Sequence, residues 1–194
     1  MWPNLREDYR RALAQTSYQR AIRKALHVLT SPGFQAVWSY RFTRWLLHRR
    51  VPILGAILQR VTEVWTGISI APETAIGPGL LILHFGGIVI NGQAVIGAQC
   101  TLHHGVTIGN RRSGGGSPRI GNRVMIGVGA CVLGEFSVGD DAEIGANAVV
   151  VDAVPERGVA VGIPAKVIRV KPSPGHQTTI TRNAALKESV DGET

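Results

Sequence analysis

From residue 70 onward an aliphatic side chain recurs at every sixth position. The series runs Ile70, Ile76, Ile82, then Ile90, Ile96, Leu102, Ile108, and after a longer interval Ile120, Ile126, Val132, Val138, Ile144 and Val150. Glycine often follows directly, as at Gly77, Gly97, Gly109, Gly121, Gly127, Gly139 and Gly145, and a small or β-branched residue tends to stand two places before, as at Thr74, Ala94, Cys100, Val106, Val124, Ala130, Ala142 and Ala148. One aliphatic side chain per hexad has nothing to bury against within its own hexad. Three hexads can close a triangular coil of about 18 residues, and stacked coils then pile the aliphatics into one interior column. Neighbouring strands would lie ~4.8 Å apart. The glycines read as corner residues, where a side chain would strain the turn. No helical periodicity separates the strands, which excludes an α/β domain with glycine loops. The predicted fold class is mainly β, a parallel β-helix of hexapeptide repeats over residues 67–170.

The preceding segment follows another rule. Residues 4–65 carry apolar side chains at helical spacing, as in Ala21, Ile22, Ala25, Leu26 and Leu29, then Val37, Tyr40, Trp45 and Leu46. Ser31-Pro32 marks one helix boundary and Arg50 to Pro52 another. Three or four short helices over residues 1–66 are expected to form an N-terminal cap. Residues 171–194 are polar and break the repeat, so a disordered tail without a site is expected there.

Composition narrows the class. The 24 glycines suit repeated turns. Cys100 and Cys131 sit in apolar stretches without metal-ligand spacing, so both read as reduced core thiols and no metal is expected. The N-terminus lacks the pattern of a secretory signal, and the apolar stretch Val51 to Leu58 is too short to span a bilayer. A cytoplasmic protein is expected. The net charge of +8 is concentrated in the first third, at Arg6, Arg10, Arg11, Arg20, Arg23, Lys24, Arg41, Arg44, Arg49, Arg50 and Arg60. Such charge suits a solvated helical face, an anionic membrane surface or a polyanionic substrate. No nucleic-acid-binding motif accompanies it, and nucleic acid is not expected as a partner.

The hexad register slips once. Ile82 and Ile90 are eight apart, so LHFGG holds two extra residues and must bulge outward at His84. His84 stands two places after Ile82, and His104 two places after Leu102, on the same face of the next coil. The two imidazoles should be neighbours. His84 is therefore the candidate general base, with His104 as its partner in the site; strand alternation is expected to turn His103 the other way. A second irregularity, residues 110–119, leaves the register intact and reads as an outgoing loop. It could cover a cofactor, with Arg111 or Arg112 near phosphate. It is not a phosphate-binding loop of the GxxxxGK[ST] type.

The segments PGFQAVWSYRFTRWLL, GISIAPETAIGPGLLILHFGGIVI, LHHGVTIGN and VMIGVGACVLG through VVVDAVPERGVAVGIPAKVIRV resemble the serine acetyltransferase family of hexapeptide-repeat acyltransferases. The resemblance covers roughly residues 30–170. It implies a left-handed β-helix, a homotrimer, acetyl-CoA as co-substrate in the groove between neighbouring β-helices, and His84 as the base. The family's cofactor groove maps to Asn110, Val128, Ala146 and Lys166.

The departures concern the acceptor. Ser69 stands where the family has an aspartate supporting the histidine, Leu83 where it has a substrate-binding aspartate, Gly116-Ser117 where it has a loop arginine-histidine pair, and Tyr18 where a cap aspartate is expected. Without those carboxylates the ammonium of free serine would be poorly held. The short cap and LHHGVTIGNR look more like the branch that acetylates sugars in exopolysaccharide assembly, such as colanic acid biosynthesis acetyltransferases. The expected acceptor is thus a sugar hydroxyl, with L-serine the alternative. A basic cap would suit an acidic polysaccharide or peripheral contact with the inner membrane surface. Two further classes stand outside this reading: a zinc-dependent β-helix enzyme of carbonic anhydrase type, and an inactive assembly partner.

Overall fold

The computed structural model describes residues 2–172. Every one of the thirteen register positions points inward and is at most 7 % exposed. The small residues two places earlier fill the same interior. Three parallel sheets form the triangular faces of a left-handed β-helix. Face A stacks β1 (Ile68–Ile70), β4 (Ile88–Ile90), β7 (Thr107–Gly109), β10 (Cys131–Leu133) and β13 (Val149–Val150). Face B stacks β2 (Ala75–Ile76), β5 (Val95–Ile96), β8 (Arg119–Ile120) and β11 (Ser137–Val138). Face C stacks β3 (Leu81–Leu83), β6 (Thr101–His103), β9 (Met125–Ile126), β12 (Glu143–Ile144), β14 (Gly158–Gly162) and β15 (Ala165–Val170). Like sits on like: Ile82 pairs with Leu102, Leu102 with Ile126, and Ile126 with Ile144. The last pair departs from the pattern, since β15 turns back antiparallel on β14 and closes that end of face C.

The repeat glycines serve a purpose other than the expected one. Gly97 and Gly127, which follow interior aliphatics, do not adopt positive φ. They are required by stacking, because a Cβ on Gly127 would come within 2.7 Å of the Ala146 nitrogen, and one on Gly97 within 2.5 Å of the Gly121 carbonyl oxygen. Left-handed backbone falls elsewhere on the corners, at Gln99, Arg123, Asp141 and Arg157 along one edge and at Gly105, Gly129 and Asn147 along another.

Four helices precede the β-helix: α1 (Trp2–Gln15), α2 (Ala21–Thr30), α3 (Pro32–His48) and α4 (Pro52–Thr66). Pro32 occupies the first turn of α3 behind the Ser31 cap, whose Oγ accepts from the Phe34 N–H. The left-handed Gly67 ends α4. The junction of cap and β-helix explains part of the arginine content. A β-helix exposes unpaired backbone groups on its first coil. Arg41 donates to the Ile76 and Gly77 carbonyls, Arg44 to those of Pro72, Glu73 and Thr74, and Arg11 to those of Gly79 and Cys100. Asp8 completes the seam from the opposite sign. It is 1 % exposed, takes two hydrogen bonds from Arg41, and accepts the N–H groups of Gly79 and Leu80. Three of the cap's cations are therefore committed to the first coil and are not available to a partner.

The polar tail lies outside the described residues from 173 onward. Among the described residues no helix is long and apolar enough to cross a membrane.

Candidate active site

The register slip produces the expected bulge. Leu83 still pairs with His103, and pairing resumes at Val89 with Thr107, so the extra residues are confined to the turn between them. His84, Gly86 and Gly87 all take positive φ, at 71°, 78° and 72°. For a histidine that conformation is uncommon and carries strain, a feature found disproportionately where a side chain must be aimed. His84 is solvent-exposed. Its ring meets the His104 ring edge to face, with centroids 5.6 Å apart and planes at 86°.

His103 does not turn away. Its ring lies 6.2 Å from that of His84, which makes a cluster of three imidazoles. Leu102 points into the core, so alternation sends His103 outward beside Leu83. The strand ends at His103, and His104 belongs to the corner, where alternation no longer governs direction. Burial lowers the pKa of His103 below its ordinary 6.5, and the neighbouring His84 and His104 lower it further. In the window between its folded value and 6.5 the unfolded chain binds more protons, so stability rises with pH there and is lost on acidification. Proton NMR should find His103 titrating below 6.5, with stability falling as the pH drops through that range. A His103 titration at or above 6.5 would refute the cluster.

Nδ1 of His104 is enclosed without a hydrogen-bond partner among the described residues. Such a group costs about 1–3 kcal/mol and calls for an explanation. No protein hydrogen bond orients the His84 ring among the described residues. The expected carboxylate support has a partial counterpart, since Ser69 Oγ donates to Glu63 Oε1 at 2.7 Å. Glu63 belongs to α4, and nothing in the local sequence around Ser69 would have pointed to it.

A pocket of about 350 Å³ opens beside His84, between the cap and face C. Ala12, Gln15 and Thr16 from α1 and the turn after it, His27 and Val28 from α2, Ser31, and Leu81 to His84 line it. It contains no carboxylate. Tyr18, the position aligned with a cap aspartate, packs its ring against His27 at 5.2 Å.

The residues assigned to a cofactor groove separate into two groups. His104, Val128, Ala146 and Gly162 occupy equivalent places on successive coils, so they form a column along the edge between faces C and A. The Gly129 N–H donates to the His104 carbonyl and the Asn147 N–H to that of Val128. Ala146 thus stands two coils, or roughly 10 Å, above the imidazoles. Lys166 pairs opposite Val161 at the top of this column and is exposed. Asn110 is not brought to it. It lies at the other end of face A, where its Oδ1 accepts from Asn91 Nδ2. Arg111 and Arg112 are on that same far edge, lining a cleft with Gly134, Phe136 and Asp152. Ser117, at the loop's return, is buried and donates to Asn91 Oδ1. Among the described residues no group of three His, Cys, Asp or Glu side chains is arranged to hold a metal ion.

No protein-family model matches the chain. Individual proteins do. The serine acetyltransferase of Mycobacterium tuberculosis is 44 % identical over 147 residues, which cover 74 % of this chain and 64 % of that protein. That of Synechococcus elongatus is 39 % identical over 151 residues, covering 76 % and 62 %. That of Helicobacter pylori is 43 % identical over 143 residues, covering 73 % and 84 %. The chain thus spans a little under two thirds of the length of the first two relatives. Among solved structures, the serine acetyltransferase of Neisseria gonorrhoeae in complex with serine superimposes with a TM-score of 0.78 at 31 % identity, covering 87 % of this chain and 69 % of that one. The Brucella abortus enzyme in complex with coenzyme A gives 0.80 at 28 %, covering 88 % and 68 %. These similarities run to serine acetyltransferases and lend no support to a separate sugar-acetylating branch. With its hexad register, its helical cap and this degree of identity, the chain belongs to the serine acetyltransferase family of hexapeptide-repeat, left-handed β-helix acyltransferases.

Proposed function

We propose that the chain is an acetyl-CoA-dependent O-acetyltransferase acting on L-serine, with His84 as the general base. The observation that carries this is the position of His84: on the bulge between β3 and β4, beside His104, at the mouth of a pocket and at the foot of the His104–Val128–Ala146 column. The acceptor hydroxyl enters the pocket. Neutral imidazole removes its proton as the oxygen attacks the thioester carbonyl, and the imidazolium returns a proton to the departing thiolate. The backbone N–H groups of Phe85 and Gly86 bond to no acceptor among the described residues and are free to meet the developing oxyanion. The small side chains of Val128 and Ala146 let a pantetheine arm run along the backbone, with Lys166 at the phosphate end.

The relatives' names and the serine-bound and coenzyme A-bound structures support this acceptor and co-substrate. A homotrimer belongs to the same reading. Phe85, 63 % exposed, and Val89, 50 % exposed, flank the imidazole edge and suit cover by a neighbouring β-helix. Asn110 and the loop arginines then act across that interface rather than within one chain.

A sugar hydroxyl remains the second reading for one reason. The pocket offers Gln15, Thr16, His27 and Ser31 but no carboxylate for an ammonium group. Thiol release from acetyl-CoA, measured against L-serine and against a panel of sugars, separates the two. Saturable turnover with L-serine is expected. Turnover of a sugar with serine inert would transfer the assignment to the second reading.

A further inference from the structure

The helix α4 is built inside out. Its inward stripe is Gly55, Leu58, Gln59, Thr62, Glu63 and Thr66, small or polar at most positions, and Gly55 packs on Thr43 of α3. Its outward stripe is Ile53, Ile57, Val61, Val64 and Trp65, with Val64 81 % and Trp65 71 % exposed. A water-facing helix of a globular protein has the reverse arrangement. On α2 the same inversion is partial, since Val28 is buried while Ile22, Leu26 and Leu29 face out. Gln35 joins the two surfaces: its Nε2 donates to the Leu29 carbonyl, and its Oε1 accepts from Trp65 Nε1, each at 3.1 Å. The result is one continuous apolar face, larger than isolated exposed side chains require.

The charge around this face has a single sign. Residues 9–62 contain no aspartate or glutamate. With Arg11, Arg41 and Arg44 committed to the first coil, Arg20, Arg23 and Lys24 border α2, and Arg49, Arg50 and Arg60 border α4. Glu63, the one carboxylate of α4, is turned inward to Ser69 and Gln59, and Arg60 folds back on it. A second copy of the chain meeting this face about a twofold axis would set two cationic borders against each other. An anionic bilayer supplies what both features ask for, apolar depth for the stripe and negative headgroups for its border. Trp65 is the residue type that favours such an interface.

We propose that the α2–α4 face docks the protein on an anionic membrane surface, lying in the interface without crossing it. Because α2 also contributes His27 and Val28 to the pocket beside His84, docking and acceptor entry share one helix.

Flotation of the full chain with lipid vesicles tests this. Vesicles of phosphatidylcholine containing phosphatidylglycerol should carry the protein up at low salt and release it at high salt, while phosphatidylcholine alone should not carry it. Val64→Ser with Trp65→Ser should lower the partition by about tenfold or more, and Arg50→Glu with Arg60→Glu by a similar factor. Both variants should keep the thermal melt and the assembly mass of the parent. Absence of binding to the anionic vesicles would overturn the proposal. Binding insensitive to either pair of substitutions would overturn it too, and a reduced assembly mass in the Val64/Trp65 variant would show that the face joins copies of the chain instead.

Discussion

His84→Ala is expected to lower acetyl transfer by about 10²–10⁴-fold while leaving the protein folded. The ring is exposed and makes no hydrogen bond among the described residues, so its removal takes away no packing of consequence. Alanine also carries a Cβ, so the left-handed backbone at this position becomes no more strained than it already is. Steady-state thiol release and a melting curve on the same preparation check both halves. Because the loss is chemical, it should appear in kcat with KM for acetyl-CoA nearly unchanged. His104→Ala should cost less, since His84 lines the pocket and His104 does not, its ring standing against that of His84. Retention of full activity by the His84 variant would end its assignment as the base.

The largest stability effect is expected at Asp8. Removing this carboxylate strands Arg41, 4 % exposed, beside the amides of Gly79 and Leu80, and breaking a buried pair in this way costs about 3–5 kcal/mol. Asp8→Ala should therefore move the denaturant midpoint sharply. Asp8→Asn keeps an acceptor and should lose less. A loss below about 1 kcal/mol for the alanine variant would show that the contact does not hold α1 to the β-helix.

What could be read along the chain was local and periodic. The hexads reported the faces because each interior aliphatic obeys the same environment as the one a coil away. The bulge was legible for the same reason: a slip is visible only against a regular register. The arginines were harder, because Arg41 and Arg44 bind main-chain carbonyls about 30 residues away, and a carbonyl carries no signature in sequence. Strand alternation misdirects His103 because β6 ends there and His104 already belongs to the corner. Glycine at the hexad ends was recognised but attributed to turning, when its place is fixed by the backbone of the coil above. Glu63 carries no such signal, since the packing of α4 against β1 is what brings it to Ser69. The acceptor was inferred from missing carboxylates, and the pocket does lack them, yet the relatives are serine acetyltransferases.

The arginine seam on the first coil has a consequence for solution behaviour. Parallel coils have no intrinsic end, and an uncovered terminal rung is a template on which another molecule's last rung could continue the ladder. Arg11, Arg41 and Arg44 occupy first-rung carbonyls between Pro72 and Gly79, and the back-turned β15 closes face C at the other end. These stretches of the two terminal rungs are thereby withdrawn from end-to-end pairing, which works against growth of a repeat fold into a fibre.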